Sequence, residues 1–133
     1  MASTLESRTL TVRIDRPLRE VYDFVSLPEN FPIWAAGLGT SIGLVKGEWI
    51  AETPQGPLRV RFTERNDFGI LDHYVIPAVG GEVYIPMRVI GNDHGSEILF
   101  TLFRLANMSD EQFAADAALV EQDLATLKRL LES

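Results

Sequence analysis

The chain has 133 residues, 46% of them hydrophobic and 23% charged, which fits one globular domain with an apolar core and argues against both a disordered chain and two domains. Nineteen acidic against 12 basic side chains leave a formal net charge of −7, which opposes a nucleic-acid partner, since phosphate backbones are held by clustered Lys and Arg. With no cysteine in the sequence, disulfides, thiolate zinc and a cysteine nucleophile are excluded; no apolar run approaches the roughly 20 residues of a membrane span, Met1-Ala2-Ser3-Thr4 has no signal pattern, and a cytoplasmic location is expected.

From Arg8 to Asp15 the side chains alternate, with Leu10, Val12 and Ile14 on one side, the period of a half-buried strand. Pro17 suits a helix start, and Leu18, Val21, Tyr22 and Val25 follow at helical spacing. Pro28 and Pro32 bound a second short helix ending near Trp34, and Ala35 to Thr40 reads as a Gly-rich turn. The period of two then returns over Ser41–Lys46, Glu48–Thr53, Leu58–Arg65, Ile70–Ile76, Glu82–Ile90 and Ser96–Leu105. The tetrads Asn66-Asp67-Phe68-Gly69 and Asn92-Asp93-His94-Gly95 have the chemistry of a type I turn followed by a left-handed glycine. Such short connections join antiparallel neighbours.

The last element is a helix over Ser109–Leu131. Ser109 and Gln112 have capping-box spacing, and Phe113, Ala117, Val120, Leu124, Leu127 and Leu131 form one apolar stripe. At 1.5 Å per residue, about 24 residues span about 36 Å, enough to cross a sheet.

Strand, two short helices, six strands and a long helix, carried by Val12-Arg13-Ile14-Asp15-Arg16-Pro17, Val21-Tyr22-Asp23-Phe24-Val25, Phe68-Gly69-Ile70-Leu71-Asp72-His73, Met87-Arg88-Val89, Gly95-Ser96-Glu97, Asp123-Leu124 and Leu127-Lys128, resemble the START-like (SRPBCC) helix-grip superfamily, and within it the bacterial polyketide cyclase/dehydrase and lipid-transport group. The resemblance covers nearly all of residues 1–133. It implies an α+β domain in which a curved antiparallel sheet wraps the C-terminal helix around a cavity, with Trp34 near the cavity mouth. Activity does not follow from it, because one fold hosts many functions.

A four-residue loop at Pro54–Pro57 would pair Trp49 with Phe62 and Ala51 with Val60 on the apolar face, leaving Glu52 opposite Arg59 outside. The following hairpin has two registers. In one, Phe62 pairs with His73, which then points into the cavity. In the other, a glycine bulge turns Asp72 and Tyr74 inward. Leu71 and Val75 flanking His73 favour the first, the turn chemistry the second. Val83, Ile85, Met87 and Val89 form an inward set, with Tyr84, Pro86 and Arg88 as the outward alternates.

These residues leave three functions open. The first is binding of an apolar or aromatic small molecule, lined by Trp34, Trp49, Val60, Phe62, His73, Tyr74 and Met87. The second is a cyclase or dehydratase in which His73 or Asp72 moves a proton and Arg88 or Tyr74 stabilises an enolate. Against it, Asp72 and His73 are adjacent on a strand and cannot both face one cavity without a bulge; His73 in a core and Asp72 with Arg88 as a cross-strand salt bridge are the structural alternatives. The third is a homodimer without a ligand, joined through an outer patch of Ile50, Tyr74 and Tyr84. Two histidines without ligand spacing argue against a metal site. Gly37-x-Gly39 follows a helix rather than a strand, and no serine has a nucleophile-elbow context. No cofactor is expected.

Overall fold

The computed structural model describes residues 3–35 and 41–133. The Gly-rich turn expected at Ala35–Thr40 falls, apart from Ala35, outside the described residues. The remaining chain runs β1 (Ser7–Ile14), α1 (Leu18–Val25), a 3₁₀ turn at Pro28–Asn30, α2 (Phe31–Trp34), β2 (Ser41–Val45), β3 (Glu48–Thr53), β4 (Gly56–Phe62), β5 (His73–Pro77), β6 (Val83–Ile85), β7 (Met87–Asn92), β8 (Gly95–Phe103) and α3 (Asp110–Glu132). Pro86 divides the expected strand Glu82–Ile90 into β6 and β7. The ladders run antiparallel in the orders β2-β3-β4-β5-β6 and β1-β8-β7. They are joined where Ile70 bridges Arg88. There Leu71 N donates to Met87 O at 2.9 Å and Val89 N to Gly69 O at 2.9 Å. The result is one curved antiparallel sheet around α3, an α+β architecture.

Two turns set the registers. At Thr53↔Gly56 the hairpin closes over only Pro54 and Gln55, two residues tighter than the expected four-residue loop. Gly56 sits at φ 110°, where a side chain would be strained. Thr53 Oγ1 donates to Gly56 O at 2.6 Å and accepts from Gln55 N at 3.1 Å. Trp49 therefore pairs with Val60 and Ile50 with Arg59. Because the shift is two residues, every side chain keeps its expected face. Arg59 meets Glu48, at 3.2 Å, instead of Glu52.

In the next hairpin Phe62 pairs with His73, the first of the two registers. Gly69 adopts φ 71°, and a Cβ there would lie 2.2 Å from Val89 O, so only glycine allows the close pairing with β7. Asn66 closes the turn by accepting from Phe68 N and Ile70 N at 2.9 and 3.1 Å. The second tetrad differs: Asn92 pairs with Gly95, and the left-handed residue is Asp93, at φ 54°.

α3 packs against β1, β8 and α2 through the expected stripe. Phe113, Ala117, Val120, Leu124 and Leu127 are all buried, and Leu131 is half-buried. Ser109 Oγ caps the helix by accepting from Gln112 N at 3.0 Å, while the Gln112 side chain bonds Asp116 rather than completing the box. At the far end Lys128 Nζ reaches Arg13 O at 2.8 Å, and Glu132 accepts from Asp15 N at 2.7 Å. Polar contacts thus fix the helix along β1, and its apolar stripe holds it down.

Leu124→Asp is expected to destabilise by about 4 kcal/mol or more, since it removes a buried Leu and buries a carboxylate. Glu121→Ala breaks only an exposed pair with Arg8 and is expected to change stability by less than about 0.5 kcal/mol. Urea denaturation of both variants measures the difference; equal stabilities would mean that another helix face carries the packing.

Candidate functional site

The interior is organised around Phe31, which is 2% exposed and was not among the candidates read from the sequence. Its ring makes edge-to-face contacts with Trp34 (5.3 Å between centroids), Phe62 (5.5 Å) and His73 (5.6 Å). Such perpendicular pairs are favoured by the ring quadrupole. Phe31 and Trp34 are presented together because Pro28 and Pro32 confine the chain to two short turns. His73 and Phe62 come from the paired ends of β4 and β5.

His73 is 3% exposed. Its Nδ1 lies 3.1 Å from Leu71 O. A carbonyl can only accept, so in the neutral ring Nδ1 carries the hydrogen and Nε2 keeps its lone pair. Burial lowers the His73 pKa below its ordinary 6.5, opposed more weakly by the Leu71 bond and the charge of Asp72.

The Asp72 side chain explains how Leu71 O becomes available. Leu71 N donates to Met87 O, but Met87 N, which would complete that antiparallel pair by donating to Leu71 O, goes instead to the Asp72 carboxylate at 2.8 Å. That carboxylate also pairs with Arg88 and accepts from Tyr84 Oη at 3.2 Å. Burial, the charge of Asp72 and this hydrogen bond raise the Tyr84 phenol.

The placement of the remaining candidates follows from these registers. Asp72, Tyr74 and Arg88 turn their side chains to the convex face, because the period of two gives that face to the neighbours of buried His73 and Met87. Tyr74, expected as a ligand contact, stacks on Tyr84 at 5.1 Å and lies under the Arg61 guanidinium at 4.6 Å. Tyr74 and Arg88 do not line the hollow that holds His73; Asp72 does, but its carboxylate is engaged by Met87 N, Arg88 and Tyr84. Met87 is inward as expected but 1% exposed, and Trp34 is 2% exposed, an interior wall rather than a mouth. The edge-to-face packing of Trp34 on Phe31 draws it inside.

Trp49, Val60 and Phe62 do share a hollow. They line a groove of about 480 Å³, closed by Ser26 and Pro28 and by Thr63 on the far side of Phe62. Arg59, Arg61, Arg65, Glu48 and Glu64 also border it, and the three arginines are paired with Glu48, Glu82 and Asp23. Behind it lies a second, much smaller cavity of about 20 Å³, walled by Trp34, His73, Met87 and Tyr22 among others. Ser26, Phe62 and Thr63 line both hollows, so the partition is one residue thick. Ser26 and Thr63 escaped the sequence reading because they come from the end of α1 and the far side of β4, which only the fold brings together. Among the described residues no group of three His, Asp or Glu side chains converges as a metal site, and no helix is long and apolar enough to cross a membrane.

No protein-family model and no curated protein matches the sequence. Solved structures do match its shape. XoxI from Bacillus cereus superposes with a TM-score of 0.75 at 17% identity, over 96% of each chain. An uncharacterised protein from Bacillus thuringiensis gives 0.77 at 16% identity, over 96% of this chain and 100% of that one. The di-domain ARO/CYC protein BexL of the BE-7585A biosynthetic pathway gives 0.64 at 15% identity, over 98% of this chain and 51% of BexL. At such identities the likeness is one of fold, and the fold is the α+β helix-grip arrangement expected from the sequence.

The buried histidine sets a pH dependence. Between the lowered folded value and the ordinary value of 6.5, the unfolded chain binds a proton that the folded chain does not. This stabilising contribution is complete above about pH 6.5 and is lost as pH falls below it, at up to about 1.4 kcal/mol per pH unit. His73→Leu is expected to flatten the stability curve between about pH 6.5 and 5. Urea melts of both proteins across this range test it, and parallel curves would show that His73 does not titrate on unfolding.

Proposed function

We propose that this protein binds an apolar or amphipathic small molecule, seated in the groove over Trp49, Val60 and Phe62. The observation that carries the reading is the groove itself. Its volume of about 480 Å³ falls in the range of small-molecule sites, roughly 300–1,000 Å³, and it sets the rings of Trp49 and Phe62 among polar and charged groups that would meet the wet end of an amphipathic ligand.

A cyclase or dehydratase reading is favoured by one specific feature. His73 is neutral, with its Nε2 lone pair free of any hydrogen bond among the described residues, the state a general base needs. BexL, with the same fold, is an ARO/CYC protein. In that reading His73 moves the proton alone, with Asp72 and Arg88 acting only through the strand that positions it.

The two readings separate in one experiment. Titration with an apolar fluorescent dye or a polycyclic aromatic, followed through Trp49 emission, is expected to give saturable binding. Ser26→Phe, which fills the shared wall, is expected to weaken it at least tenfold, about 1.4 kcal/mol; His73→Ala is expected to leave it within about threefold. Turnover of an aromatic polyketide that stops in His73→Ala would instead establish the enzyme. Unchanged affinity in Ser26→Phe would remove the groove as the site.

A further inference from the structure

Among the described residues the curved sheet ends on two edge strands, β1 and β2. An edge presents unpaired N–H and C=O groups, and proteins guard it with charges, prolines, bulges or a covering element. β1 is guarded. Lys128 Nζ donates to Arg13 O and Glu132 accepts from Asp15 N, and Arg8 and Arg13 lie within the strand. β2 carries no such guard. Ser41-Ile42-Gly43-Leu44-Val45 has neither a charge nor a proline, and Leu44 and Val45 are 60% and 53% exposed.

The hairpins on either side of β3 determine which backbone groups of β2 are open. Lys46 and Gly47, at φ 50° and 80°, form the two-residue turn of a tight hairpin, so the flanking Val45 and Glu48 are a hydrogen-bonded pair. Such pairs alternate along a ladder. Gly43 and Ser41 therefore also bond β3, while Ile42 and Leu44 aim their N–H and C=O at the free edge. The next hairpin, closed at Thr53↔Gly56, gives the same parity, since it commits Thr53, Ala51 and Trp49 to β4 and leaves Ile50 and Glu52 for Gly43 and Ser41. Among the described residues no backbone group pairs with Ile42 and Leu44 on that edge.

We propose that a second copy of this chain covers the edge, β2 pairing antiparallel with β2 about a two-fold axis at Gly43. In this register the strand complements itself. Ile42 of each copy stands opposite Leu44 of the other, and each such pair exchanges both N–H···O=C bonds between open groups. The paired side chains share the concave face, where Leu44 is already opposite Trp49, so the apolar side chain that a single copy leaves exposed is covered. Each chain carries a charge of −7, yet the joint itself holds no charged residue. The two Lys46 positions lie about 20 Å apart at about 3.4 Å per residue, well beyond a Debye length of about 8 Å. The surface is separate from the convex patch of Tyr74 and Tyr84, whose rings stack on each other, and the pairing does not depend on whether the groove takes a ligand.

One strand pair buries less than a standard interface of roughly 1,600 Å², so the assembly depends on concentration. In sedimentation the mass is expected to rise from 14.8 kDa towards twice that value, with a Kd below about 100 µM. Leu44→Lys enters the joint twice and is expected to weaken dimerisation at least about tenfold. Leu119→Lys, at an exposed apolar position of α3, is expected to leave the Kd within about threefold. In the unaltered protein, exchange of the Ile42 and Leu44 amide hydrogens is expected to slow at least about threefold between about 1 µM and about 1 mM protein, a readout that needs no variant to fold. A protein still monomeric at about 1 mM would overturn the proposal. So would a dimer that Leu44→Lys leaves intact, or one whose Ile42 and Leu44 amides exchange as fast as in the monomer.

Discussion

Everything around the site depends on the one rung at which a side chain replaces a backbone partner. Met87 N, opposite Leu71, donates to the Asp72 carboxylate rather than to Leu71 O, and Arg88 and Tyr84 bind that carboxylate on the convex side. Three consequences follow from this one substitution of a side chain for a backbone partner. The ladder runs on through Leu71–Met87 and Gly69–Val89, so the sheet stays in one piece. The parity of β5 is fixed, with His73 inside and Asp72 outside. Leu71 O is left to accept from His73 Nδ1, which chooses the tautomer and aims the lone pair of Nε2 away from the strand.

The aromatic cluster is the counterpart of that polar arrangement. Phe31 touches Trp34, Phe62 and His73 in perpendicular pairs, and Phe100 adds a contact to His73 at 6.4 Å. An imidazole surrounded by rings is desolvated, and desolvation keeps it neutral. The same packing leaves one small cavity walled in part by His73 and Trp34, and Ser26, Phe62 and Thr63 line both it and the larger groove.

The convex face uses aromatic residues differently. Tyr74, Tyr84 and Phe103 stack in a row across the sheet, and Arg61 covers Tyr74 while pairing with Glu82. Cross-strand aromatic and cation–π contacts stabilise a sheet surface. Asp72 and Arg88, which as residue types look like a catalytic pair, belong to this surface and act on the interior only through the backbone.

The sequence by itself determined the elements and their faces. Alternation in β1 and β8, the capped stripe of α3, and the inward set Val83, Ile85, Met87 and Val89 depend on local periodicity, which backbone geometry enforces residue by residue. It also carried the side-chain parity of β3 and β4 through a register error of two, because a shift of two residues leaves every side chain on its face. Only the tertiary structure decided between His73 and the Asp72–Tyr74 pair, since that choice is set by how β5 pairs with β4 and by the bond from Met87 N to the Asp72 carboxylate, 15 residues away. It alone placed Phe31 at the centre, drew Trp34 inside, and set Ser26 against Phe62 and Thr63. A cavity is made by elements meeting from distant parts of the chain, and no spacing within one element records which others will face it.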